Sequence, residues 1–209
     1  MSHIPAAASH PAGAEATTTG LNHRKVLMWA FLASECMFFA TLISTYMVYR
    51  HHSLTGPYPN DIISIPVTSV STFVLLTSSL AMVLALAAIQ RGDLKATKRW
   101  LLGTALFGTT FLLFQVYEFN QFFHEGLSPR TNVFGSTFFT LTGTHGVHVT
   151  VGVIWLLSLY FSVAKGKVKQ ENSLSVEIAG LYWHFVDIVW IVIFTLVYLI
   201  GGNDGPKVM

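Results

Sequence analysis

Charge is scarce in this chain: only 11% of its 209 residues are Asp, Glu, Lys or Arg. A soluble domain runs near a quarter charged, so there is too little charge here to cover a water-facing surface. Cysteine is almost missing as well. The one residue, Cys36, lies in an apolar run, which excludes an intrachain disulfide and any CxxC or Cys/His zinc spacing. The basic excess is small. A formal net charge of +2 excludes the basic face that a nucleic-acid partner requires. Residues 1–22 contain neither a positive n-region nor a continuous apolar h-region, so no signal peptide is expected there. Their Ala, Thr, His, Pro and Gly read as a disordered, solvent-exposed tail. The chain also shows no internal repeat.

Apolar length is abundant. The hydrophobic share is 52% and the mean hydropathy +0.55. Sixteen Phe, seven Tyr and five Trp suit lipid-facing and interfacial positions. A bilayer core of ~30 Å takes about 20 apolar residues in a helix, and five stretches qualify: 26–49, 66–89, 100–123, 133–164 and 174–200. Pro66 suits a helix start, where its missing N–H costs nothing. The fourth stretch is longer than a bilayer needs and should tilt or project. The predicted fold is therefore all-α, a polytopic membrane bundle over residues 23–209, with connections too short to hold a soluble domain.

Lys and Arg distribute unevenly over the two ends of these spans. One side carries Arg24, Lys25, Arg91, Lys95, Lys98, Arg99, Lys165, Lys167 and Lys169; the other carries Arg50, Arg130 and Lys207. The positive-inside rule puts the N-terminus in the cytoplasm and, after five spans, the C-terminus outside. The connections holding Tyr58, Pro59 and Asp61, and Glu125 and Pro129, then face outward. Small residues four apart, Thr142, Gly146 and Thr150 on the fourth span and Thr104 and Gly108 on the third, are candidate helix seams.

Ionisable residues inside the spans carry the functional argument, because hydrocarbon tolerates them only when protein or a cavity shelters them. Glu35 follows Lys25 by ten residues, about 15 Å along a helix and so near mid-depth. His145 and His148 are three apart on the fourth span and should share a face. His184 and Asp187 repeat that spacing on the fifth, where an intrahelical or interhelical pair within hydrogen-bond reach is expected. Glu118, beside Tyr117, sits nearer the outer end of the third. Three readings stand side by side: a hydrogen-bonded polar cluster that sets helix register, ligation of a heme or metal, and proton handling or lipid-headgroup binding.

Four runs add a resemblance. Gly143 to Val149 reads GTHGVHV, Tyr182 to Trp190 reads YWHFVDIVW, Ser34 to Phe39 reads SECMFF and Tyr117 to Phe119 reads YEF. In type and in order they resemble the signatures of subunit III of heme-copper terminal oxidases, over roughly residues 24–201. The resemblance is to the short bacterial form, which lacks the first two of seven helices, so the family's lipid cleft would be only half-built. It implies a bundle in the bacterial cytoplasmic membrane packed against catalytic subunit I, with subunit II and a fourth subunit as further partners. It implies no catalytic residue and no heme, copper or other metal bound by this chain; heme and copper belong to the partner subunits. Membrane lipids are expected ligands, and cytochrome c or quinol would be met only through the complex. The role implied is to stabilise subunit I against turnover inactivation and to support proton uptake. Glu35 matches the family's intramembrane carboxylate, buried toward subunit I, while Glu118, His145, His148, His184 and Asp187 match its interior polar positions.

Other functions remain open on the residues alone. A quinol oxidase or a nitric oxide reductase would use a related subunit. A small membrane cytochrome would need two of the histidines as a heme pair. A proton-coupled transporter would use Glu35, though such proteins often show the inverted repeats and broken helices not seen here.

Overall fold

A computed structural model describes residues 22–50, 52 and 65–200; the tail over 1–21, most of the first connection and the C-terminal residues 201–209 lie outside the described residues. Five long helices make up the rest: α1 (His23–Tyr49), α2 (Ile65–Gln90), α3 (Leu94–His124), α4 (Val133–Ala164) and α5 (Leu174–Ile193). The fifth continues as a π-helix over Phe194–Ile200, and a short 3-10 turn, Gln170–Asn172, precedes it. All five spans are long and apolar enough to cross a membrane, and there is no strand among the described residues.

The helix starts follow from capping. Asn22 accepts the Arg24 N–H on its side chain at 3.0 Å and opens α1. Asn132 does the same for Gly135 at 2.7 Å, and Asp93 accepts from both Lys95 and Ala96. This places the start of α3 at Leu94, six residues before the apolar stretch at Trp100. Hydropathy marks where a chain enters hydrocarbon, whereas the cap marks where hydrogen bonding begins. The α2–α3 turn is closed by Gly92 at φ +77°, with its N–H on Ile89 O and the Asp93 N–H on Ala88 O. That pair of bonds satisfies the last carbonyls of α2 and needs a left-handed residue between them. The ends of α3 and α4 close in the same way at Gly126 and Gly166.

Helix α5 sits at the centre of the bundle, against α1, α2 and α4, while α3 bridges α2 and α4. Helix α1 packs chiefly on α4 and α5 and is the least buried of the five. One side chain organises the centre. Trp183 of α5 is completely buried and donates its indole N–H to Ser78 Oγ of α2 at 2.9 Å. A β-carbon on Gly108 of α3 would stand 2.5 Å from its ring, and one on Gly152 of α4 would stand 2.8 Å from it. The indole therefore occupies the space left by two glycines on two other helices. Of the small-residue seams, Thr104, Gly108, Thr142 and Gly146 are buried, but Thr150 is exposed; Gly152, on another face of α4, is the glycine that meets Trp183.

Two outcomes test this account. Gly108→Ala and Gly152→Ala should each lower the thermal unfolding midpoint in detergent, since overpacking costs about 1–3 kcal/mol. Gly103→Ala, where a β-carbon meets nothing within 4 Å, should leave the midpoint unchanged or raise it. The second concerns pH. The Ala96 N–H foremost, together with the Lys95 N–H and the charges of Arg99 and Arg91, holds the exposed Asp93 carboxyl below its usual value. A folded value below the unfolded one means the cap stabilises fully above the ordinary carboxylate range and is lost as pH falls through the folded value. The midpoint difference between wild type and Asp93→Ala should thus be full at neutral pH and shrink in acid, whereas that between Asp93→Asn and Asp93→Ala should not.

Candidate functional site

Helix α1 brings Glu35 to the seam with α4. Its Oε2 lies 3.2 Å from His148 Nε2, and both side chains are mostly buried. The other ring nitrogen of His148, Nδ1, is 2.8 Å from the Thr144 carbonyl one turn back. A carbonyl only accepts, so Nδ1 carries the hydrogen. Nε2 then donates to Glu35 when the ring is charged, or accepts from a protonated Glu35 when it is neutral. Either way one proton is shared across the two helices. Phe39 packs edge-on to the His148 ring at 5.0 Å, and Tyr182 of α5 donates its hydroxyl to the His148 carbonyl at 3.0 Å. Three helices meet at this pair. Beside it opens a groove of about 360 Å³, lined by Phe31, Val147, Val151, Trp155 and Tyr182 among others.

His145, three residues earlier, belongs to a different place. It is fully buried, with Nε2 3.2 Å from the Val186 carbonyl of α5. Trp190 lies at 4.8 Å and Phe111 stands edge-on at 5.8 Å. Three residues turn a helix by about 300°, leaving a 60° offset. That offset is enough to send His148 to α1 and His145 into the core, so the two do not act on one face. Next to His145, Gln115 of α3 donates to the Thr142 carbonyl at 2.7 Å, and its Oε1 lies 2.7 Å from where a β-carbon on Gly146 would stand.

Of the intrahelical and interhelical pairings open to His184 and Asp187, the intrahelical one does not form. His184 Nδ1 instead meets Ser79 Oγ of α2 at 2.5 Å. Asp187 is buried, and its two carboxyl oxygens make no hydrogen bond. Imidazole and carboxyl both lie toward Ser79 of α2, and the hydroxyl's short contact is with the imidazole. Glu118 is buried between α2 and the π-helical end of the chain. Its Oε1 accepts from Thr68 at 2.6 Å and its Oε2 from Tyr198 at 3.2 Å. Five of the six intramembrane residues thus resolve into separate ties: Glu35 with His148, His145 with α5, His184 with Ser79, and Glu118 with Thr68 and Tyr198.

Sequence reasoning missed Thr68, Ser79, Gln115, Tyr182 and Tyr198. A signal was available for α2. Thr68, Ser71, Thr72 and Ser78 are all buried and repeat at helical spacing, a hydroxyl stripe in an otherwise apolar span. It serves Glu118, Trp183 and, through Thr72 Oγ1 at 2.9 Å, the indole of Trp190. Among the described residues no three of His, Cys, Asp and Glu cluster as metal ligands.

Comparison with known proteins decides the family. The profile for cytochrome c oxidase subunit III matches residues 6–202. The chain belongs to the cytochrome c oxidase subunit III family. It is 40% identical to the cytochrome c oxidase subunit 3 of Bacillus sp. (strain PS3), over 93% of this chain and 95% of that one. It is 38% identical to the quinol oxidase subunit 3 of Bacillus subtilis (strain 168), over 83% and 85%. It is also 38% identical to the cytochrome bo(3) ubiquinol oxidase subunit 3 of Pseudomonas aeruginosa, over 83% of each chain. Within this subunit III chain the signature runs map onto contacts: SECMFF and GTHGVHV supply the two halves of the Glu35–His148 tie, and YWHFVDIVW supplies the central Trp183.

The tie should be measurable as coupling. Glu35→Ala and His148→Ala should each lower the unfolding midpoint. The double variant should lose less than the sum, by an interaction of about 0.5–3 kcal/mol. Strict additivity would mean that the two side chains do not interact.

Proposed function

We propose that this chain is the non-redox subunit III of a bacterial aerobic terminal oxidase, holding catalytic subunit I in its working form and supporting proton uptake during O2 reduction. The observation that carries the reading is the state of the three mid-span histidines. Each spends a ring nitrogen on protein: His145 on Val186, His148 on Glu35 and Thr144, His184 on Ser79. Buried polar groups engaged in this way hold helices in register. A heme pair would need two imidazoles facing an open slot, and the rings of Phe111 and Trp190 fill the space around His145. Subunits I and II, with a fourth subunit, are the partners, and heme and copper reside there. The chain lies in the cytoplasmic membrane with its N-terminus inside and its C-terminus outside, following the Lys and Arg asymmetry.

The cytochrome c type is preferred over the quinol type, because the match to the Bacillus sp. (strain PS3) relative spans 93% of this chain against 83% for the two quinol-type relatives. In either type the donor docks on other subunits. Glu35 serves through its shared proton with His148, at the seam between the least buried helix and the core.

Purification through this chain in mild detergent should bring down heme-bearing subunits, and the chain alone should show no Soret band. Glu35→Ala should leave the heme spectrum of the complex unchanged and shorten its active lifetime under continuous turnover. A Soret band from the chain alone, lost in His148→Ala or His184→Ala, would overturn the proposal in favour of a membrane cytochrome. Substrate-dependent uptake by vesicles holding only this chain would overturn it in favour of a transporter.

A further inference from the structure

We propose that the groove between the start of α3 and the end of α4 binds the phosphate-diester headgroup of an anionic membrane lipid. Lys95, Lys98 and Arg99 would hold the phosphate, while Leu102 and Tyr160 would lie against the first methylenes of the lipid chains. These five residues line a groove of about 490 Å³. Lys95, Lys98, Arg99 and Leu102 follow at i, i+3, i+4 and i+7, so they form one face of α3. The three cations span about 6 Å of helix axis, and Leu102 follows about 4.5 Å deeper. Exposed Leu106 continues the same line into the span. A headgroup followed by acyl chain has this order of charge and hydrocarbon along the membrane normal.

Three like charges on one face repel, and the protein does little to neutralise them. Among the described residues none of the three makes a salt bridge; the ion pair at this end of the bundle joins Lys25 to Glu177 instead. Asp93 lies near enough to Arg99 to feel its charge, but its carboxylate is occupied by the Lys95 and Ala96 amides. Trp100, next to Arg99, is exposed, as suits an indole at the boundary between water and hydrocarbon. The other cations of this end are placed elsewhere. Arg91 and the 165–169 segment are absent from the groove lining, and Gln170 ties the following turn to the Gln90 carbonyl of α2. Positive-inside bias alone would not gather three cations over one apolar floor. The proposal goes beyond the oxidase reading and holds for either electron donor.

The test uses the complex purified through this chain, stripped of lipid by detergent exchange and titrated with phosphatidylglycerol, phosphatidylcholine or inorganic phosphate, with bound molecules counted by native mass spectrometry. Wild type should retain one more phosphatidylglycerol per chain than Lys95→Gln/Lys98→Gln/Arg99→Gln. The triple variant should bind it roughly a hundredfold more weakly, from about 1 kcal/mol per charge at the membrane surface. Leu102→Glu, which keeps all three cations, should also weaken it, and Arg91→Gln should not. Equal retention in wild type and triple variant, equal binding of phosphatidylcholine, or displacement of the lipid by millimolar inorganic phosphate would each overturn the proposal. The same spectra show which subunits remain attached, so a chain that arrives without heme-bearing partners counts against the oxidase reading while the lipid count still answers this one.

Discussion

The bundle depends on one indole seated where two helices have given up their side chains. Trp183 reaches from α5 between Gly108 of α3 and Gly152 of α4, and its N–H meets Ser78 of α2. In a bilayer no hydrophobic force draws helices together, because lipid is as apolar as the side chains; close packing and interhelical hydrogen bonds must do it. A tryptophan filling a glycine-lined slot provides a large contact area, and its one polar atom is satisfied across the interface. Four of the five helices are set by this contact.

Around that centre, polar groups meet in cross-helix pairs rather than in one cluster. Each pair joins elements distant in sequence: Thr68 with Glu118, Ser79 with His184, Glu35 with His148. Such bonds average only about 0.6 kcal/mol in membrane proteins. Their larger effect is on register, since a helix rotated or slid by one turn would leave each partner unpaired in hydrocarbon. Asp187 is buried beside Ser79, the hydroxyl that His184 engages, and its own oxygens make no well-formed hydrogen bond.

Helix α1 is held differently. It touches the bundle mainly along α4 and α5, and much of its surface is exposed and apolar, including Leu27, Met37 and Val48. Polar contacts at different depths help to fasten it, among them Lys25 to Glu177 near one end and Glu35 to His148 further along. The first is partly exposed and contributes little. The Glu35–His148 pair, mostly buried, ties α1 to α4 further into the span.

Much of this protein was legible in one dimension. Five apolar runs of bilayer length, the shortage of charge and the four signature stretches were sufficient for the all-α membrane fold and the family, because span length follows from bilayer thickness and needs no knowledge of neighbours. The six ionisable residues within the spans stood out for the same reason. What they touch did not follow from spacing. His145 and His148 looked like neighbours on one face, yet a 60° offset sends one to Val186 and the other to Glu35. His184 looked paired with Asp187 and instead crosses to Ser79. Thr68, Gln115 and Tyr198 carry no charge and drew no notice until the helices brought acids and carbonyls to them. A helix sequence determines angles around its own axis; which helix lies at each angle is decided only when the bundle closes, here around Trp183.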